Sequence, residues 1–183
     1  MKIYLKYLFG LNFLILVSCN ENKSNLCDLT NFENNKNYEE LYLNLNITYD
    51  DFGPLNKCAK EQNKPILTIY GCYACLGDRN VIWGTLAHKE LKKNLQEKFL
   101  IRYYHVDSRT PLPDSIQEKT NFKTIGKYFS AKQIIKYQNN SQPFFTITDW
   151  KESDLTEPIG YVSKNEYLKF KQFLEDGLRK FND

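Results

Sequence analysis

Two cysteines three residues apart, Cys72 and Cys75, close an apolar run and stand before a segment of helical character. The run, residues 64–71, is rich in β-branched and aromatic side chains and ends on Gly71; the helical segment covers residues 76–83. A C-x-x-C at a strand-to-helix junction puts the first sulfur near the free N–H groups and positive dipole end of a helix, which lowers a thiol pKa. The spacing also lets both sulfurs meet within one helical turn. The chemistry this suggests is dithiol/disulfide exchange, in which one thiolate attacks a partner disulfide and the second thiol resolves the mixed disulfide. Chain order assigns attack to Cys72 and resolution to Cys75 as the buried thiol. Tyr73 and Ala74, between them, influence the reduction potential and stand where a substrate would touch. The alternatives for the pair are an inert structural disulfide and half of a zinc site. A structural zinc takes four ligands, and beyond this motif the chain has no second C-x-x-C and only His88 and His105.

The N-terminus bears on where such a pair would work. Lys2 and Lys6 flank the start of an apolar stretch, residues 7–17, too short to cross a hydrocarbon core of ~30 Å as a helix. Leu16-Val17-Ser18-Cys19 is similar to a bacterial lipobox. Residues 1–18 are therefore expected to be a lipoprotein signal peptide, Cys19 a lipidated N-terminus, and residues 19–40 a polar tether to a domain over 41–183. A lipid chain holds a protein to a membrane without spanning it. The address is the cell envelope, facing the periplasm from the inner or outer membrane, where disulfides persist. Of the formal net charge of +3, two charges belong to the leader, too little to argue for nucleic acid. With 42% hydrophobic and 15% aromatic residues, the 183-residue chain has material for one packed domain.

The elements that would position the pair follow in order. Residues 41–48 alternate like a half-buried strand. Asp50 or Asp51 would cap a helix to about Gln62, with Pro54 in its first turn and Leu55, Cys58 and Ala59 on one face. Residues 66–70 form the central strand, and the helix after the cysteines is expected to break at Gly84. An amphipathic helix over 86–98 precedes a strand over 99–107. Residues 108–121, with Pro111 and Pro113, read as a loop. A helix over 126–137, strands over 144–148 and 159–162, and a closing helix over 164–181 complete the chain, the last with Tyr167, Phe170, Phe173, Leu174 and Leu178 along one line.

This is an α/β order with the C-x-x-C after the second strand and one X-Pro opening the penultimate strand. Residues 58–66, Cys72-x-x-Cys75, Trp83, residues 100–107, Leu112-Pro113, Thr124-Ile125-Gly126, residues 141–145 and Gly160-Tyr161 together resemble the periplasmic thioredoxin-like domain of DsbD-type thiol:disulfide interchange proteins of the Bacteroidetes type. The likeness covers roughly residues 50–181. It implies a thioredoxin-like fold, a central mixed sheet flanked by helices. It also implies a cis Pro143 beside the disulfide, with Gln142 and Pro143 binding the partner peptide. No cofactor beyond a redox-active Cys72–Cys75 disulfide is implied. Protein disulfides and dithiols are the implied substrates, with a separate membrane partner supplying electrons, and reduction is the implied direction.

Two departures stand out. The fold commonly buries an acid in the strand before the motif as proton acceptor for the resolving thiol, and residues 66–71 hold no carboxylate. Asp78 and Asp107 are possible substitutes, although each reads more simply as a surface or capping residue. The Tyr73-Ala74 dipeptide is the other departure. Cys58 reads as a small core residue, with a Cys27–Cys58 disulfide pinning the tether as a further option. His88 and His105 read as structural, and Trp83 and Trp150 as core or rim. The rival functions are a non-catalytic binding module with a locked disulfide, and a disulfide oxidase or isomerase.

Overall fold

The computed structural model describes Cys27 and residues 45–183. The expected signal peptide, Cys19, and most of the tether lie outside the described residues, as do residues 41–44 of the expected first strand.

Among the described residues, four strands form one sheet: β1 (Ile47–Tyr49), β2 (Ile66–Gly71), β3 (Leu100–His105) and β4 (Phe144–Thr148), in spatial order β1-β3-β2-β4. β1 and β2 run parallel to β3 on either side of it, and β4 is antiparallel to β2. Every residue of β2, β3 and β4 is buried. Strands covered on both faces read as near-continuous apolar runs rather than alternating ones; here Thr68, Arg102, His105, Thr146 and Thr148 interrupt the runs and are buried all the same.

The period-two geometry then sorts their side chains. One face carries Leu67, Ile69, Ile101, Tyr103, Phe145 and Ile147. It is covered by α3 (Lys89–Lys98), through Leu91 and Leu95, and by α6 (Tyr167–Asn182), through Phe170, Phe173 and Leu174. Full burial of each such side chain contributes roughly 1.5–3 kcal/mol, and this face holds most of the core. The other face is split. Ile66 and Leu100 pack on Leu55, Cys58 and Ala59 of α1 (Pro54–Gln62). Tyr70, Tyr104 and Phe144 pack on Phe129 of α5 (Ile125–Tyr137). Between these clusters lie Thr68 and Arg102, both buried.

α1 starts at Pro54, and Asp51 serves its N-terminus from upstream: Oδ1 accepts from Gly53 N–H (3.2 Å) and Leu55 N–H (3.3 Å). α2 (Leu76–Asn80) follows the cysteines and does not break at Gly84 as expected. It widens into a π-helical turn, Val81–Leu86, which carries the chain through Gly84. Residues 108–121 are not all loop either. Pro113 caps α4 (Asp114–Thr120), and the Gln117 side chain donates to the Leu112 carbonyl (2.7 Å). Proline suits a helix start because its missing N–H would go unpaired there.

The strand expected over 159–162 is absent. Ile159 makes one bridge to Phe145, with N–H···O distances of 2.8 and 3.1 Å. Beyond it the Val162 carbonyl is taken by the Thr85 hydroxyl (2.8 Å), which turns the chain off the sheet edge. Among the described residues no helix is long and apolar enough to cross a membrane.

Candidate functional site

β2 ends at Gly71 beside the end of β3, where His105 is its register partner, and delivers Cys72 to the sheet's edge. Only glycine fits there. A Cβ on Gly71 would collide with the Tyr103 hydroxyl and come within 3.2 Å of Asp78 Oδ2. Cys72 and Cys75 are joined as a disulfide. Two turn residues separate them, and the helix opens only after Cys75, which is its N-cap. The sequence expectation that Cys72 sits at the helix N-terminus, with Cys75 as the buried member, is thereby reversed. Cys72 is 7% exposed and Cys75 is half-buried. The cause is local: Cys72 follows directly on the strand's last residue, and its N–H is tied to Asp78 Oδ2 at 2.5 Å.

Asp78 is not the surface or capping residue that the sequence suggested. It is 2% exposed, and its carboxylate and the two sulfurs lie within 4.8 Å of one another. The strand position that lacks an acid is therefore answered from the helix. Burial pushes the Asp78 carboxyl up to about 6, against the Cys72 N–H, which holds it down; the Asp107 charge adds to the rise and His105 opposes it. Oδ1 is buried with no hydrogen-bond partner. A signal for Asp78 was present in the sequence, since it stands one helical turn after Cys75, in C-x-x-C-x-x-D spacing.

Asp107 is exposed and accepts from the Tyr73 N–H (3.0 Å), which fixes the start of the dipeptide. The Tyr73 ring, 56% exposed, stacks on His105 at 3.9 Å between centroids and 6° between planes. His105 is anchored in turn by Asp50, whose Oδ1 accepts from the His105 N–H (2.9 Å), with Oδ2 3.1 Å from Nδ1. His105 and Asp50 thus belong to the site's support. The contact of His105 with the dipeptide was not legible in the sequence. Ala74 is exposed. His88 lies elsewhere, stacked on Tyr167 at 3.8 Å.

The Gln142–Pro143 bond is cis, and Pro143 lies against the first turn of α2. A Cβ on Gly77 would reach Pro143 Cδ at 3.4 Å, the Gln142 carbonyl at 3.7 Å and the Tyr161 ring at 3.7 Å, so helix and proline meet across a glycine. The Gln142 side chain donates to Gln133 Oε1 (3.1 Å) on α5. Leu76 and Tyr161 expose apolar surface on the same rim. Cys27 and Cys58 form a second disulfide against the Leu55 and Ala59 side of α1, with Trp150 packed beside it. It closes a separation of 31 residues and ties the tether to the domain.

No family model and no curated protein matches the chain. Among solved structures it is similar to the DsbH oxidoreductase, at 12% identity and a TM-score of 0.50 over 70% of this chain and 83% of that one. A thioredoxin from Thermus thermophilus aligns at 12% identity and a TM-score of 0.47, covering 70% of this chain and 85% of that one. The reduced C-terminal domain of Neisseria meningitidis DsbD aligns at 16% identity and 0.45, covering 71% and 99%. Together with the sheet order and flanking helices, the first of these likenesses establishes the fold. The chain is an α/β protein with a thioredoxin-like fold.

Proposed function

We propose that this chain is a thiol–disulfide oxidoreductase of the cell envelope, held to a membrane by a lipid on Cys19 and exchanging dithiols and disulfides with partner proteins through Cys72 and Cys75. The observation that carries this reading is the Cys72–Cys75 disulfide lying within 4.8 Å of a buried acid, Asp78. In the reducing direction, one thiolate of the reduced pair forms a bond to a sulfur of the partner disulfide, and the other partner sulfur leaves as thiolate. The remaining thiol gives its proton to Asp78 and attacks the mixed disulfide. The partner departs as a dithiol, its two thiolates taking one proton back from Asp78 and one from solvent, and the pair is left oxidised. Two electrons move, and the pair itself carries them without an added cofactor. The partner peptide lies along Gln142 and Pro143, against the rim formed by Tyr73, Ala74, Leu76 and Tyr161.

Support for the class comes from the site and from the DsbH likeness, that protein being named an oxidoreductase. Support for reduction comes from the sequence resemblance to an electron-delivering domain, and it requires a separate membrane donor. The locked-disulfide alternative drew its strength from the missing strand carboxylate, and Asp78 answers that vacancy.

The test is the reduction potential of the Cys72–Cys75 pair by equilibration with dithiothreitol or glutathione and thiol trapping, with Cys72→Ser as control. A value near thioredoxin's, about −270 mV, is expected; one between about −120 and −180 mV makes the protein an oxidase or isomerase instead. Resistance below about −300 mV, or insulin reduction unchanged in Cys72→Ser, removes the catalytic reading.

A further inference from the structure

The site contains a third acidic donor, and that changes what its reduced form can hold. Zinc was set aside on a count of cysteines and histidines, yet open zinc sites need only three protein ligands and leave the fourth position to water or substrate. The Cys72 and Cys75 sulfurs and an Asp78 carboxylate oxygen lie within 4.8 Å of one another. Two thiolates on one tetrahedral zinc, each at ~2.3 Å, stand about 3.8 Å apart, so the two sulfurs, bonded to each other in the oxidised chain, must part on reduction to form a ligand set with Asp78. Asp78 Oδ2 is held by the Cys72 N–H, whereas Oδ1 is buried with no hydrogen-bond partner. A buried oxygen left unpaired is costly. Once the disulfide opens, two ionisable sulfurs are left beside the Asp78 carboxylate, and a divalent cation would satisfy all three groups.

We propose that the reduced form of this chain binds one thiophilic divalent cation of the zinc class through Cys72, Cys75 and Asp78, with an open fourth position. The inference rests on the reading that the Cys72–Cys75 pair is reducible. Binding displaces one proton from each thiol as it becomes a thiolate ligand, and no electron is transferred. The metal-bound form cannot attack a disulfide with either sulfur free, so the cation holds the dithiol out of exchange until it is removed. The oxidised form has no thiolate to offer and does not bind.

The test uses the full chain, reduced anaerobically, with free thiols counted before any metal is added. It is then titrated with Zn²⁺ against a chromophoric chelator and, separately, with Cd²⁺ while following thiolate-to-metal charge transfer in the ultraviolet. One equivalent is expected to bind the reduced chain and none the oxidised chain. Asp78→Asn should weaken Zn²⁺ binding at least about tenfold, the low end of what even an outer-sphere partner is worth. A Cys27→Ser/Cys58→Ser double variant should bind like the parent. Equal affinity in Asp78→Asn would overturn the inference, leaving an ordinary dithiol chelate. So would binding by the oxidised chain, loss of binding in the double variant, or no charge transfer with excess Cd²⁺. A pair that yields no thiols on reduction defeats the exchange reading as well. A chain that reduces insulin yet binds no metal defeats this inference alone.

Discussion

Asp51 and Asp78 are both buried carboxylates in one small domain, and the chain treats them in opposite ways. Around Asp51, Oδ1 accepts two backbone N–H groups and Oδ2 lies 3.4 Å from Arg102 Nη1. Arg102 is satisfied further by Thr68 Oγ1 (3.2 and 3.3 Å), by Asn56 Oδ1 (2.9 Å) and by the face of Tyr104, 5.0 Å away. Asp78 has one N–H on Oδ2 and none on Oδ1. A buried charge with both oxygens partnered is a fixed part of a scaffold; one left short of partners is ready to take a proton or a ligand. The fold places the first kind beneath α1 and the second against the disulfide.

The largest effect expected from breaking this contrast falls on the scaffold side. Arg102→Met leaves Asp51 buried without its cation, and loss of one partner from a buried pair costs about 3–5 kcal/mol. Urea unfolding of the oxidised chain should show that loss, while the Cys72–Cys75 potential stays where it was. A change below about 1 kcal/mol, the scale of an exposed pair, would mean that Asp51 is no more dependent on its partners than a surface acid.

Asp78→Asn should give the reverse profile. Removing a positioned proton acceptor typically slows a reaction on the order of 10²-fold or more, and insulin reduction at pH 7 should fall by that scale. Stability should move the other way. An acid whose native pKa lies above its unfolded value binds more protons when folded, so stability falls as pH rises through roughly 4 to 6. The parent carries that loss and the variant does not. Between pH 3 and pH 7 the variant should therefore gain on the oxidised parent by on the order of 3 kcal/mol, from a shift of 3.8 to about 6. A parallel pH dependence in the two proteins would show that Asp78 titrates like a solvated acid.

The contrast also marks what could be read from the chain alone. β2, β3 and β4 are legible because their β-branched and aromatic residues mark strands, the cysteine pair because its residue types and spacing allow few other uses, and the cis Pro143 through the family resemblance rather than from its residue type. Asp78 was misread because the acid was sought in the strand before the motif, whereas here it arrives one helical turn after Cys75. The edge segment at 159–162 has a strand's composition, but the competing acceptor use of Val162 by Thr85 is a tertiary fact. Arg102, in the middle of an apolar strand, gave no hint of its partner. Asp51 lies 51 residues away in sequence, and nothing local joins the two.

The smallest effects should come from the two groups that push Asp78 in opposite directions. Asp107 raises its pKa and His105 lowers it, both less than burial does. Asp107→Asn keeps an oxygen to accept the Tyr73 N–H while removing the negative charge, so the Asp78 midpoint should fall. His105→Phe keeps a flat ring beneath Tyr73 while removing the imidazole, so the midpoint should rise. Each move should be smaller than the rise that burial causes, since both contributions rank below it. Carbon-13 NMR of the Asp78 carboxyl in the oxidised chain, where no thiolate competes, reads both directly. Opposite shifts would establish that Asp78 is tuned from outside by the residues that hold the dipeptide. Shifts of the same sign would mean that the dipeptide has moved, and that the Tyr73–His105 stack rather than charge sets the environment of the acid.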